Sequence, residues 1–503
     1  MKDEDCKSEN LEEGSGAIDP PTQSHPQNNL SDSGDESSNS DVEVKDLHPL
    51  EKLSADFITR VDEMRRAATI AIVAVGNHIK DKVSACKDVF KKYADPNNSA
   101  DKKSYDVIIP EDVRERVAVI DAIKQFERIR SAGMLRIVER SLFIGLFSEF
   151  DAFMGHLLTI LYTKQPALLK SIKREVSLSD LIQFNSLDAV KQDMLDKEID
   201  SFRRDSYIEQ FAALESKFSF KTLRKFPEWS EFVEISQRRN LMTHNGGVVT
   251  EQYLTVCKRE GCKIEENAAP GVQLDIGAEY YFRACHVLSL VAVMLVFTLW
   301  RKVLPGDEME ANNAIQSQVY ETLRRRDWKL AVRVGEFSLA DEMRKGAEDI
   351  DVRIRHINLA IAYKKAGREE DMVRCLNSCD WTASVRDFKL AVEVLNGNYK
   401  LASDIMRKIG KSGELVQQGS YHNWPLFFDF IGCDEFGEAY REIYGHDFNA
   451  KREDEPVAVT IDAGGENGSS LTIVEKQDDL EVEPKNVSVK RIKKTTRKKK
   501  TQA

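Results

Sequence analysis

Arg239, Asn240 and His244 fall within the six residues Arg239-Asn240-Leu241-Met242-Thr243-His244 and bring together a guanidinium, an amide and an imidazole. Asn240 and His244 are four apart and share one helix face, and the long Arg239 side chain can swing towards the same groove. A guanidinium stays charged at any working pH and offers a planar fork of donors suited to phosphate oxygens. An imidazole gains or loses a proton near neutral pH. Together they suit metal-free cleavage of RNA, in which the ribose 2′-hydroxyl attacks the adjacent phosphorus and charge builds on the phosphoryl oxygens. The plainer alternative is a histidine capping the last carbonyls of a helix beside an arginine in a surface ion pair.

The elements that must position these groups follow from periodicity. Phe232, Ile235 and Leu241 recur at helical spacing, and Gly246-Gly247 predict that the helix stops just beyond His244. Pro227-Glu228-Trp229 leads into it, and Ser177, Ser186 and Ser206 are plausible starts of shorter helices upstream. Earlier still, the pattern predicts helices over residues 53–93, 111–130 and 134–162. The third has a wide stripe of Phe143, Leu146, Phe147, Phe150, Phe153, Met154, Leu157, Leu158 and Leu161. After Gly247 an irregular excursion with an extended piece at 272–276 precedes a helix over 279–303. From 311 to 448 short helices alternate with turns at 326, 367 and 397. Arg326-Asp327-Trp328-Lys329-Leu330-Ala331 is similar to Gly397-Asn398-Tyr399-Lys400-Leu401-Ala402, and this pattern reads as α-hairpins like those of tetratricopeptide repeats without a regular period.

The expected fold class is therefore all-α, in four parts. Residues 1–46 carry 13 acids against 3 lysines and little apolar surface, which predicts a disordered acidic tail. Residues 47–310 form a helical domain with an N-terminal helical extension, 311–448 the helical repeats, and 449–503 a flexible tail with a possible hairpin at 457–462 and 471–475. The tail is basic over 485–503, with nine basic residues and no acid. Since the net charge is -11, the middle is acidic, and any RNA contact is expected at a local site or through the basic tail. The tail's charge equally fits a nuclear address or an aid to solubility.

The eight cysteines are scattered, unlike a secreted disulfide scaffold, and the N-terminus has no apolar signal segment. The expected location is cytoplasmic. The longest apolar run, Val287 to Trp300, is short of the roughly 20 residues that cross a bilayer and reads as a core helix, so no membrane partner is expected. Gly410-Lys411-Ser412 is no phosphate loop, because Ile405 stands where the first glycine belongs. Cys257-x4-Cys262 and Cys375-x3-Cys379 lack further ligands at zinc-finger spacing and read as ordinary thiols. No metal or cofactor is called for.

Arg239-Asn240-x-x-x-His244, continued as Asn245-Gly246-Gly247-Val248-Val249 to Tyr253-Leu254, resembles the motif of the prokaryotic HEPN superfamily. Phe147-Ser148-Glu149-Phe150-Asp151-Ala152-Phe153 resembles the family's earlier core helix. Trp300-Arg301-Lys302 and Asp327-Trp328-x-x-Ala331 resemble relatives with helical repeats behind the domain, so the likeness spans roughly residues 130–340. It implies a helical bundle that homodimerises, joins two such motifs in one composite cleft, and cleaves RNA without metal in toxin or phage-defence systems. By position Arg239 would stabilise the phosphorane, His244 would transfer a proton or stabilise charge, Asn240 would orient the pair, and Glu149 would lie near the cleft. The alternative that the resemblance leaves open is a non-catalytic RNA-binding or protein-interaction scaffold. In either case the repeats could hold a protein partner.

Overall fold

The computed structural model describes residues 47–95, 106–131 and 133–448, and the backbone of 460–461 and 471–472. The acidic segment 1–46 and nearly all of 449–503, including its basic end, lie outside the described residues. The fold is all-α. It begins with α1 (Pro49–Lys92), α2 (Val113–Ser131) and α3 (Met134–Lys164), followed by α4 (Leu178–Leu181), α5 (Leu187–Arg204) and α6 (Tyr207–Lys217). Next come α7 (Trp229–His244), α8 (Glu251–Arg259) and α9 (Ala278–Val303). The remainder is α10 (Glu308–Arg324), α11 (Trp328–Ser338), α12 (Asp341–Arg344), α13 (Asp349–Lys365), α14 (Glu369–Asn377), α15 (Arg386–Leu395), α16 (Tyr399–Ile409), α17 (Gln418–Asn423) and α18 (Asp434–Tyr444). Far along the chain, Thr460 pairs with Thr472 and Ile461 with Leu471 in a two-residue antiparallel ladder.

The helix starts have local causes. Ser177, Ser186 and Ser206 each turn a hydroxyl onto a backbone N–H in the first turn of α4, α5 and α6. At α6 the Glu209 carboxylate returns the bond to the Ser206 N–H, closing a capping box. Arg326, Gly367 and Gly397 take left-handed backbone angles at the turns of the hairpins α10–α11, α13–α14 and α15–α16.

Two hydrophobic cores divide the chain. The first runs from Leu50 to Met343 and centres on α9, whose residues from Val287 to Phe297 are buried without a break. By length and composition α9 could cross a membrane, but here it is sheathed by α1, α3, α7, α10 and α11. The α3 stripe meets it with Phe143, Phe147, Phe150 and Phe153, and Phe150 also packs against Tyr207 and Phe232 with ring centroids 5.5 and 5.6 Å apart. The second core runs from Leu323 to Tyr440 through the hairpins. The two cores overlap in α11, where Leu330 and Val334 belong to the first and Ala331 and Val332 to the second. The second half of α1 leaves both cores and packs against α2 through Cys86, Phe90 and Ala122.

Candidate active site

α7 is held from behind. Glu234 and Arg238, each 2% exposed, form a buried ion pair at 2.9 Å, and Arg238 also reaches Glu265 at 2.7 Å. The Tyr253 hydroxyl donates to Glu234 Oε1 at 2.9 Å and the Tyr280 hydroxyl to Oε2 at 2.8 Å, while the Arg238 guanidinium lies 4.2 Å from the Tyr280 ring centroid. Burial and the Glu234 charge push both phenols far above their ordinary range, so they remain donors. A buried charge is tolerated only when its hydrogen-bonding capacity is used, as it is here. The network fixes α7 against α8 and α9.

The end of α7 is closed by backbone. Asn245 and Gly247 N–H both donate to Leu241 O at 2.9 Å, and Leu274 N–H donates to Gly247 O at 2.9 Å. Gly246 and Gly247 have φ of +61° and +89°. A Cβ on Gly247 would stand 2.5 Å from Gln273 Nε2 and 2.8 Å from Leu274 O, so the second glycine is needed for close approach as well as for its backbone angle.

On the front face Arg239 lies against the rings of Phe147 and Tyr207, 5.3 Å from each centroid. Its Nη2 is 3.9 Å from Asp151 Oδ2, a loose ion pair, and its sealed Nε–H has no hydrogen-bond partner among the described residues. The Tyr207 hydroxyl donates to Asp151 Oδ1 at 2.5 Å. Burial first, and the Asp151 charge second, drive the Tyr207 phenol far upward against the opposing pull of Arg239. Tyr207 thus orients Asp151, and Asp151 faces Arg239.

These groups open onto a cleft of about 500 Å³. Arg239, Asn240 and His244 line it together from α7, with Gln237 one turn earlier. Asp151 comes from α3, Arg203 and Arg204 from the end of α5, Asp205, Ser206 and Tyr207 from the start of α6, and Thr250, Gln252 and Tyr253 from the start of α8. Among the described residues the side chains of Gln237, Asn240, His244, Arg204 and Gln252 make no hydrogen bond or ion pair. Gln237 is only 8% exposed. An amide so far buried usually finds a partner in the protein, and this one opens onto the cleft instead.

Glu149 is not among the lining residues. It points to α1 and pairs with Arg60 at 3.0 Å. Residues two positions apart on a helix are about 200° apart around the axis, so Glu149 and Asp151 cannot serve the same side. Of these two, Asp151 is the carboxylate that reaches the cleft. Its signal in the sequence is its place four residues after Phe147, on the core-facing stripe. Arg204, Tyr207 and Gln252 carry no spacing signal, because three other helices bring them to α7; Gln237 stands three residues before Asn240 and seven before His244, on the same face of α7. Comparison with family models, curated proteins and solved structures finds no match to this chain.

Proposed function

We propose that the chain is a metal-independent endoribonuclease of the HEPN type, acting on single-stranded RNA. The observation that carries this reading is the gathering of Arg239, Asn240 and His244 in one open cleft, with the side chains of Asn240 and His244 making no hydrogen bond or ion pair among the described residues. Arg239 and Arg204 would take the phosphate oxygens. In the reaction the 2′-oxygen loses its proton to a base, the 2′-O–P bond forms, the P–O5′ bond breaks, and the 5′-oxygen gains a proton. The products are a 2′,3′-cyclic phosphate and a 5′-hydroxyl.

One imidazole cannot be both the base and the acid at the same instant. This favours a composite site, in which a second copy of the chain supplies the other Arg239–His244 pair, as the resemblance implies. The hairpins of the second core would then recruit or sense a protein partner, in a cytoplasmic toxin or phage-defence role. A second reading, a scaffold that binds RNA without cutting it, draws on Asp151 and Asp205: two carboxylates in the cleft oppose a phosphorane more than they oppose a loosely held strand.

The test is incubation of purified protein with single-stranded RNA in excess EDTA. Cyclic-phosphate ends are expected, with His244→Ala and Arg239→Ala each slower by about 10² to 10⁴. RNA bound but left intact by a folded wild type would favour the scaffold. Cleavage abolished by EDTA alone would end the metal-independent mechanism.

A further inference from the structure

α8 ends in a turn that brings two thiols together. Cys262 N–H donates to Cys257 O at 2.8 Å, Gly261 N–H donates to Lys258 O at 3.3 Å, and Gly261 has φ +69°. This pair of bonds is the Schellman ending, which folds the chain back so that the side chains at its two closing positions touch. Apolar side chains commonly occupy those positions, and here both are cysteines. Their sequence separation is five, so the touching pair follows from the turn and not from helix periodicity.

The two thiols differ in kind. Cys257 is fully buried and Cys262 partly exposed. The two side chains interact across the turn, which draws the Cys262 thiol below its ordinary range, while the same interaction and burial raise that of Cys257. An accessible sulfur with thiolate character, backed by a sheltered thiol, is the arrangement of an attacking cysteine with its resolving partner. A disulfide needs Cα atoms roughly 4.4–6.8 Å apart, and the six-to-one backbone bond brings the backbones of Cys257 and Cys262 into direct contact.

We propose that Cys257 and Cys262 are a dithiol that hydroperoxides oxidise to an intramolecular disulfide. The Cys262 thiolate attacks one oxygen of hydrogen peroxide, the O–O bond breaks, and the departing hydroxide takes up a proton as water, leaving Cys262 as a sulfenic acid. The Cys257 sulfur then gives up its proton and attacks the Cys262 sulfur; the S–O bond breaks and a second water leaves. The dithiol loses two electrons and the peroxide gains them. The turn is joined to the start of α7 through the Trp229 indole donating to Glu260 at 3.2 Å, and the first turn of α8 is joined to α7 through Tyr253 donating to Glu234. The disulfide would close the end of α8, which Glu260 ties to the start of the helix that carries Arg239 and His244. The inference does not depend on RNA cleavage.

The experiment uses the full chain, reduced and then exposed to a small excess of hydrogen peroxide, with remaining thiols alkylated before digestion with trypsin. A disulfide-linked pair of peptides is expected, Asn240–Lys258 joined to Glu260–Lys263, absent from the untreated protein. In the reduced protein Cys262 should alkylate on the order of tenfold faster than Cys257. With Cys257→Ser, the oxidised Cys262 should instead be trapped by dimedone as a sulfenic acid, while an unchanged helical circular dichroism spectrum shows that the variant folds. Native protein that keeps Cys262 as a free thiol, or oxidises it to sulfinic acid with Cys257 still alkylatable, would overturn the proposal.

Discussion

Arg238 and Arg239 are adjacent in the chain and face different worlds: Arg238 is 2% exposed and clamped by Glu234 and Glu265, whereas Arg239 rests on the Phe147 and Tyr207 rings with a loose ion pair to Asp151 and opens onto the cleft. One holds the helix and the other is held out to a ligand. Arg238→Ala should leave Glu234 buried without its counter-ion and cost about 3–5 kcal/mol. Arg239→Ala should change stability far less while removing RNA binding or cleavage. Urea unfolding of the two variants side by side is the check, and equal losses of stability would contradict the division of labour.

Asp151 lends the cleft a negative charge beside Arg239. Asp151→Asn keeps an oxygen for the Tyr207 hydroxyl and removes the charge. Affinity for a non-cleavable 2′-deoxy oligonucleotide should tighten, by about two- to fivefold for a partly exposed charge. Fluorescence anisotropy at fixed salt measures it. Weaker binding would mean that Asp151 aligns Arg239 more than it repels the strand.

The helix that carries the motif was legible because its signals are local. The apolar spacing from Phe232 to Leu241 and the pair Gly246-Gly247 place its end at His244, where α7 stops. The caps at Ser177, Ser186 and Ser206 are equally local and are found in place. What stayed hidden depends on tertiary placement. Within α3 the one hint that Asp151 faces α7 is its place four residues after Phe147, and it becomes decisive only once α1 has claimed Glu149 through Arg60. Likewise the Arg238-Arg239 pair looks like one basic step in the sequence, and only the packing of Tyr253 and Tyr280 around Glu234 separates the two roles. The turn at Arg326 was visible from its likeness to the one at Gly397. The sharing of α11 between both cores was not, since Leu330 and Val334 read as one apolar stripe with Ala331 and Val332 until the two sets are packed against different partners.

Gly247 offers a test of the helix end that does not involve activity. Its φ of +89° and the 2.5 and 2.8 Å approaches of Gln273 and Leu274 to a built Cβ make Gly247→Ala strained twice over. A cost of about 1–3 kcal/mol is expected. Gly246→Ala, with left-handed φ but nothing within 4 Å of its Cβ, should cost less. Thermal melts rank the two, and the reverse order would mean that the strand-like contact at Gln273 yields easily.

His286 on α9 makes the seam between the bundle and the hairpins sensitive to acid. It faces Asp327, Glu228, Lys329 and Arg333, and burial, the largest influence, lowers its pKa despite the two carboxylates. The folded chain thus keeps this imidazole neutral over a range in which the unfolded chain, with an ordinary value of about 6.5, protonates it. Below about pH 6.5 the unfolded state binds more protons, so stability rises with pH in that window and is fully present above it. The urea midpoint should fall between about pH 7.5 and 5.5, and the fall should be smaller in His286→Gln, whose side chain does not titrate. Burial also lowers His48 and His356, so part of the slope should remain in the variant. His422 is lowered by burial as well, so an unchanged slope would assign the acid sensitivity to groups other than His286 and remove it from the seam.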